Sequence, residues 1–443
     1  MATTSLSRTP GSTGDPKTFT FSTWLKVSKI QEQMFFTCGV YLSTSLMQFY
    51  LNANGTLTLS QEDSSGSGQS NLTTTQVFRD SSAFYHICVA VDTTQAVSSN
   101  RVKLYVNGTQ VTDFTTETYP SLNLDFACNT SSVINMIGNR SGGSFQYEGS
   151  MSNIALVDGT ALAPTSFGEV DSTSGIWKFS SPSGITWGTN GFWLKGENSA
   201  ALGTDSSGNT NTFAVASGTP TQSISTPSNV YATGEPLINL RTPTYSNGNN
   251  TATYSSSWRP AASTHGMTKG KWYMEAKVVS GAEWFAGGIT DQEAILQQTL
   301  QHAGHQPLSV GYYGNGNKFI GNASTSYGSS YTSGDVIGCA LDIDNGYVYF
   351  SKNNTWQDSG DPTSGASGTG GIALPTSSSS TGTWLFSPSV YDGPLDFNYG
   401  TGYFGTTAIS SAGTSSTGDD SVWEYDCPAN YYGLSTKNLN TYG

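Results

Sequence analysis

Asn-Gly dipeptides recur along this 443-residue chain, and three of them adjoin short runs rich in aromatic and β-branched residues. Asn54-Gly55 divides "LMQFYL" from "TLTLS", Asn107-Gly108 ends "RVKLYV", and Asn345-Gly346 divides "VIGCALDID" from "YVYFSKN". Asn-Gly readily takes the two positive φ angles of the tightest hairpin turn, so this punctuation predicts antiparallel β structure. The stretch "TFTFSTWLKV" (18–27) alternates Phe19, Phe21 and Thr23 against Thr20, Ser22 and Trp24, the period of a strand. Only 11% of residues are charged, and 23 Tyr, 20 Phe and 10 Trp exclude a disordered chain.

The strand signals fall into two groups. Residues 1–170 predict one antiparallel sandwich, with "FYHICVAVD" and "FQYEGSMSNIALVDGTAL" among its strands. Residues 171–245 are turn-rich, with Pro227, Pro236 and Pro243, and predict a long ordered connector pinned by Val230, Leu237, Ile238 and Leu240. Residues 246–400 predict a second sandwich with one short helix over Asp291–Gly304. There Asp291 is the N-cap, Ile295, Leu296 and Leu300 form an apolar stripe, and Gly304 is the stop. Residues 401–443 predict a docking tail, because Trp423, Tyr425, Tyr431 and Tyr432 are too densely spaced to stay free. The fold class is all-β.

The net charge of −13, without a basic cluster, disfavours nucleic acid and anionic membranes. No run approaches the ~18 apolar residues of a membrane span. The N-terminal stretch lacks the apolar core of a secretory signal. Cys38, Cys88, Cys128, Cys339 and Cys427 are scattered without a C-x-x-C pair, so they read as small hydrophobes rather than zinc ligands. Scattered free thiols fit synthesis in a reducing cytoplasm.

Several groups raise the question of chemistry. Asp342 and Asp344 flank the Asn345-Gly346 turn, and the hairpin explains them better than calcium, which wants more oxygen ligands than one dyad supplies. Asp92, Asp113 and Asp158 lie near turns but do not converge in sequence, so no required metal is expected. His302 and His305 form H-x-x-H without a third ligand in view; exposure or a helix-end charge interaction is the plainer reading. His86 reads as outward-facing or strand-paired. No cofactor fingerprint appears. "GNGN" (314–317) is a hairpin turn rather than a dinucleotide loop.

"FTFSTWLKV", "FYHICVAVD", "RVKLYVNGTQV" and "YEGSMSNIALVDGTAL", in that order, resemble a laminin-G-like or concanavalin A-like jelly-roll. "GKWYMEAKV", "VGYYGNG" and "GDVIGCALDIDNGYVYFSKNNTW" resemble a SPRY domain. "GFWLKGENSAALGTDSSGNTNTF", "TPSNVYAT" and the closing "LSTKNL" resemble structural proteins of tailed phages, especially marine ones. Jelly-roll glucanases carry Glu-x-Asp-x-Glu on one strand, a motif this sequence lacks, so the resemblance implies a non-enzymatic protein.

It implies a component of the virion exterior, such as a tail fibre, knob or capsid decoration. Such a component is made in the host cytoplasm and forms a homo-oligomer, with a trimer favoured. Its partners would be host surface glycans or neighbouring virion proteins. A purely architectural component and a carbohydrate-active enzyme are the alternatives. In SPRY modules ligands meet the loops at one end of the sandwich. The resemblance places Trp258, Arg259, Trp284, Tyr312, Tyr313 and Trp356 on or near such loops as ligand-binding residues. The Gly-rich loop 359–371 beside Trp356 is expected to be mobile.

Overall fold

A computed structural model describes residues 4–143, 145–238, 241–281, 283–297 and 301–443. The chain divides into two compact units, residues 1–222 with 226–228, and residues 223–225 with 229–443. The segment expected to be a separate connector is therefore shared out between them. Val230 is buried and Ile238 packs on Ala262, Ile295 and Leu385, whereas Leu237 is exposed; Leu240 lies outside the described residues.

The first unit has two large sheets and a two-stranded one, 168–170 with 177–179. The eight-stranded sheet runs in the order 114–118, 68–77, 56–62, 46–51, 33–38, 135–137, 5–8, 214–217. The six-stranded sheet runs 192–194, 149–158, 18–27, 85–92, 102–106, 109–110. Between them lies a core that takes Phe19, Phe21, Leu25 and Val27 from alternate positions of Thr18–Val27. That strand is buried on its other face as well, which is why Thr20, Ser22 and Trp24 are also inaccessible.

The cover on this outer face comes from residues beyond 160. Phe167, Phe179, Ile185 and Trp187 pack with Cys88, Ala155, Val157 and Trp193. His86 lies between Trp24 and Trp177, with ring centroids 4.8 and 5.8 Å away. The Trp177 indole can only donate, and it does so to His86 Nδ1 at 3.0 Å. The imidazole proton therefore sits on Nε2, 2.9 Å from Ser22 Oγ. Burial pushes the His86 pKa down to about 3.

In the second unit a nine-stranded sheet runs 244–246, 251–253, 395–398, 271–278, 336–342, 347–352, 355–356, with 372–373 and 432–433 added at its sides. It encloses a core with a five-stranded sheet (323–326, 317–320, 309–312, 287–291, 384–386) and a three-stranded one (259–260, 389–392, 283–285). Gly287 is required by close approach, since a Cβ there would lie 2.4 Å from the Phe350 ring.

The helix spans only Gln292–Leu296. Asp291 does cap it, accepting from Glu293 N, and Ile295 is buried, but Leu296 is exposed. Leu300 lies outside the described residues. Gly304 belongs to a separate turn, donating to Ser309 Oγ at 2.6 Å.

The C-terminal segment is part of this second unit. Tyr432–Gly433 pairs in parallel with Trp272–Tyr273. Trp423 and Tyr431 are buried against Tyr273 and Tyr349. The carboxylate of Glu275 fastens the segment, accepting from Glu424 N and Tyr425 N at 2.9 Å each and from Asn398 Nδ2 at 3.2 Å. Burial raises the Glu275 pKa to about 7 against the pull of these donors. The loop 359–371 folds back on itself through Asp361 N to Thr369 O and Gly371 N to Gly368 O, and Tyr431 Oη donates to Pro362 O.

Candidate functional site

The three-stranded sheet of the second unit assembles a group of rings. Arg259–Pro260 pairs with Ser389–Asp392, which pairs with Glu283–Phe285, so Trp258, Tyr391 and Phe285 arrive side by side. Trp258 lies 5.3 Å from Tyr391, 5.0 Å from Phe285 and 5.8 Å from Tyr313, measured between ring centroids. Tyr313 follows the strand Ser309–Tyr312, and Phe319, from the strand paired with it, lies 5.8 Å from Tyr313.

Phe285 and His302 are buried beneath, stacked at 4.4 Å and nearly parallel. Trp258, Tyr313, Phe319 and Tyr391 remain half-exposed. Burial lowers His302 to about 4, so it is neutral at pH 7, and its Nδ1 donates to Ala303 O at 2.9 Å. His305 is also lowered, first by burial and then by the nearby Arg241. Such a neutral ring surface can stack on a sugar face or take an apolar side chain.

Of the residues singled out from sequence, the structure brings Trp258 and Tyr313 together. Two are corrected. Trp284 is 2% exposed and Tyr312 0%, both in the core. Alternation is the reason: Tyr312 points inward onto Tyr327, Tyr331 and Phe350, which leaves Tyr313 outward. Arg259 stacks its guanidinium 4.1 Å from the Tyr254 ring centre and donates to Tyr254 Oη at 2.9 Å. Trp356 is half-buried on the nine-stranded sheet, 6.5 Å from Tyr273, and belongs to a different cluster from Trp258.

Phe285, His302, Phe319 and Tyr391 were missed by sequence reasoning. The only signal for His302 was the H-x-x-H spacing, which suggested a metal or an exposed helix end. It is instead a buried ring-stacking residue, and among the described residues no group of three or more metal-ligating side chains occurs.

The acids resolve as structural. Asp342 is fully buried, 2.8 Å from Lys271 Nζ, and accepts from Asn345 N at 3.0 Å and Asn345 Nδ2 at 2.8 Å. Asp344 Oδ1 accepts from Gly270 N at 2.7 Å. Asp158 accepts from Asp15 N and Asn190 N, Asp92 caps its own turn at Thr94, and Asp113 takes the Thr75 hydroxyl.

Comparison with known proteins gives short local matches. The ATP-dependent RNA helicase DDX1 of Xenopus laevis is 36% identical over 96 residues, 22% of this chain and 12% of that protein. The Ran-binding proteins 9/10 homolog of Drosophila melanogaster is 36% identical over 89 residues, 19% and 9% of the two chains. The dual specificity protein kinase splA of Dictyostelium discoideum is 40% identical over 65 residues, 13% and 3%. The chain thus spans at most 12% of the length of these relatives.

Among solved structures, a SAP-like pentraxin from Limulus polyphemus has a TM-score of 0.30 at 17% identity, covering 42% of this chain and 82% of that one. The SPRY domain of human HERC1 has a TM-score of 0.27 at 15% identity, covering 37% and 96%. Residues 2–166 match the concanavalin A-like lectin/glucanases superfamily, in its laminin G form, and residues 271–373 match the SPRY domain family. The chain therefore carries a concanavalin A-like, laminin G-type jelly-roll followed by a SPRY domain.

Proposed function

We propose that this chain is a non-enzymatic binding protein on the exterior of a tailed-phage virion, attaching to host surface glycans or to neighbouring virion proteins. The observation that carries this reading is the half-exposed ring group of Trp258, Tyr313, Phe319 and Tyr391 on a rigid, buried base of Phe285 and His302. Rings held in place lose little entropy on contact, which is what an anchor for a sugar or an apolar side chain requires. Two domains of types that typically bind rather than catalyse support the non-enzymatic part. The phage assignment draws on the connector and C-terminal sequence blocks, and the homo-oligomer, trimer first, on the same likeness. An acidic, low-charge chain fits display among other virion proteins rather than on nucleic acid or in a bilayer.

The test is glycan-array binding by the wild-type chain and by Trp258→Ala and Tyr313→Ala. Loss of an aromatic anchor costs about 1–3 kcal/mol, a weakening of roughly 5- to 150-fold. Binding lost in both folded variants supports the reading. Binding to no glycan favours the architectural role, and binding unchanged in both variants removes the ring group from the mechanism.

A further inference from the structure

One end of the first unit's interior holds a polar group remote from the rings. Leu6 and Ile137 are partners in register, and both lie in the core. Two residues further along each strand Arg8 and Asn135 are partners as well, so by alternation their side chains enter the same interior. Arg8 Nη2 donates to Asn190 Oδ1 at 3.5 Å and to Asn211 Oδ1. Asn190 Nδ2 in turn donates to Ser12 O at 2.9 Å and to Asn129 O at 3.3 Å. Asn129, Asn135 and Asn190 are all buried. Both Arg8 bonds go to uncharged amide oxygens. Asp205, the acid whose field reaches Arg8, is occupied by Trp193 N, Ser207 N and Asn211 N. Arg8 Nη1, both polar atoms of the Asn135 amide and Asn129 Oδ1 are buried without a protein partner.

We propose that Arg8 Nη1 and Asn135 Nδ2 hold a small monovalent anion, chloride, which ties the strand Ser5–Arg8 to Asn135–Ile137 at this end of the sandwich. The site stands apart from the ring group and does not rest on the binding role proposed for it. A guanidinium stays charged, and a charge taken out of water needs a countercharge and filled hydrogen bonds. Burial outweighs the pull of Asp205 on Arg8, so that acid does not fully offset the lost hydration. Nη1 can only donate, and the Asn135 amide supplies a second donor from the neighbouring strand. Asn129 Oδ1 and Asn135 Oδ1 are acceptors, and they take the hydrogens of a water beside the ion. A metal cation would be repelled by Arg8. Sulfate, with two charges and four acceptor oxygens, asks for more donors than these two.

The test is calorimetry of the full chain in sodium chloride and in sodium gluconate at equal ionic strength, joined to anomalous diffraction from crystals grown in bromide. Chloride at about tenfold above its dissociation constant should raise the first-unit melting transition by roughly 3–6 °C over gluconate. A bromide peak should lie within hydrogen-bond reach of Arg8 and Asn135. Arg8→Gln removes the charge and Asn135→Asp supplies its own anion, so each should melt alike in the two salts. Where a variant does not fold, the wild-type salt response and the bromide position decide. Equal wild-type melting in both salts overturns the proposal, and a bromide peak without a salt response is an adventitious ion only. A water in place of the bromide, or an undiminished chloride response in folded Arg8→Gln, overturns it as well.

Discussion

Replacing Asp342 by Asn tests the claim that the acids beside the Asn345-Gly346 turn hold the fold and do no chemistry. The native carboxylate is inaccessible and meets three donors: Lys271 Nζ, Asn345 N and Asn345 Nδ2. An asparagine has one acceptor oxygen. If that oxygen stays over Asn345 N, the new amide faces two donors; if it flips, Asn345 N loses its acceptor. Either way at least one buried donor is unpaired, costing about 1–3 kcal/mol, and a charge-assisted bond of about 1.5–3 kcal/mol is lost. Lys271 is 22% exposed, so it recovers part of this from water. The net cost is about 2–4 kcal/mol.

Native-state hydrogen exchange at Lys271–Val278 and Val336–Asp342, across a urea series, reads this directly, because these paired strands report opening of the second unit. In a Lys271→Met background the same substitution should cost about 1–3 kcal/mol less. A cost below about 0.5 kcal/mol, or no coupling to Lys271, would refute the reasoning. So would loss of attachment at undiminished stability.

Three further outcomes follow from the geometry. The unfolded state binds a proton on His86 near pH 6.5, whereas the folded state does so only near 3, so first-unit stability should fall as pH drops through that window, by up to about 1.4 kcal/mol per unit. The same slope in His86→Gln, by urea titration at pH 6 and 4, would count against the buried neutral imidazole. Deleting residues 420–443 removes Trp423 and Tyr431 from the core and strips Glu275 of two donors, so light scattering and calorimetry should show lower solubility and a lower second-unit melting temperature; an unchanged mass and melting curve would contradict this. Glu275→Gln sets an amide against Glu424 N or Tyr425 N and should speed hydrogen exchange across residues 423–433, whereas unchanged exchange would show that the carboxylate does not fasten the segment.

The sequence was most legible where local geometry decides. Asn54-Gly55, Asn107-Gly108 and Asn345-Gly346 each lie between the paired strands expected of them. Alternation in Thr18–Val27 correctly separates the inward Phe19 and Phe21 from Trp24. It gave no warning that residues beyond 160 would cover Trp24's face, because the contact of Trp24 with Phe179 joins segments about 150 residues apart. The same limit explains Trp284 and Tyr312: a ring at a strand end reads alike whether it turns into the core or out. Only the partners Tyr327 and Tyr331, from the irregular stretch after Ser326, and Phe350, from the strand Tyr347–Lys352, settle Tyr312 inward. Helix Gln292–Leu296 had a legible start in the Asp291 cap, but Gly304 serves the turn held by Ser309 and not a helix end.

The central claim, a binding protein displayed outside a virion, is tested most directly by negative-stain imaging of phage particles labelled with an antibody to this chain. The account predicts label at regular positions on the particle exterior, in clusters that match a homo-oligomer. Particles that carry no label, while the chain remains abundant in the infected cell, would contradict it.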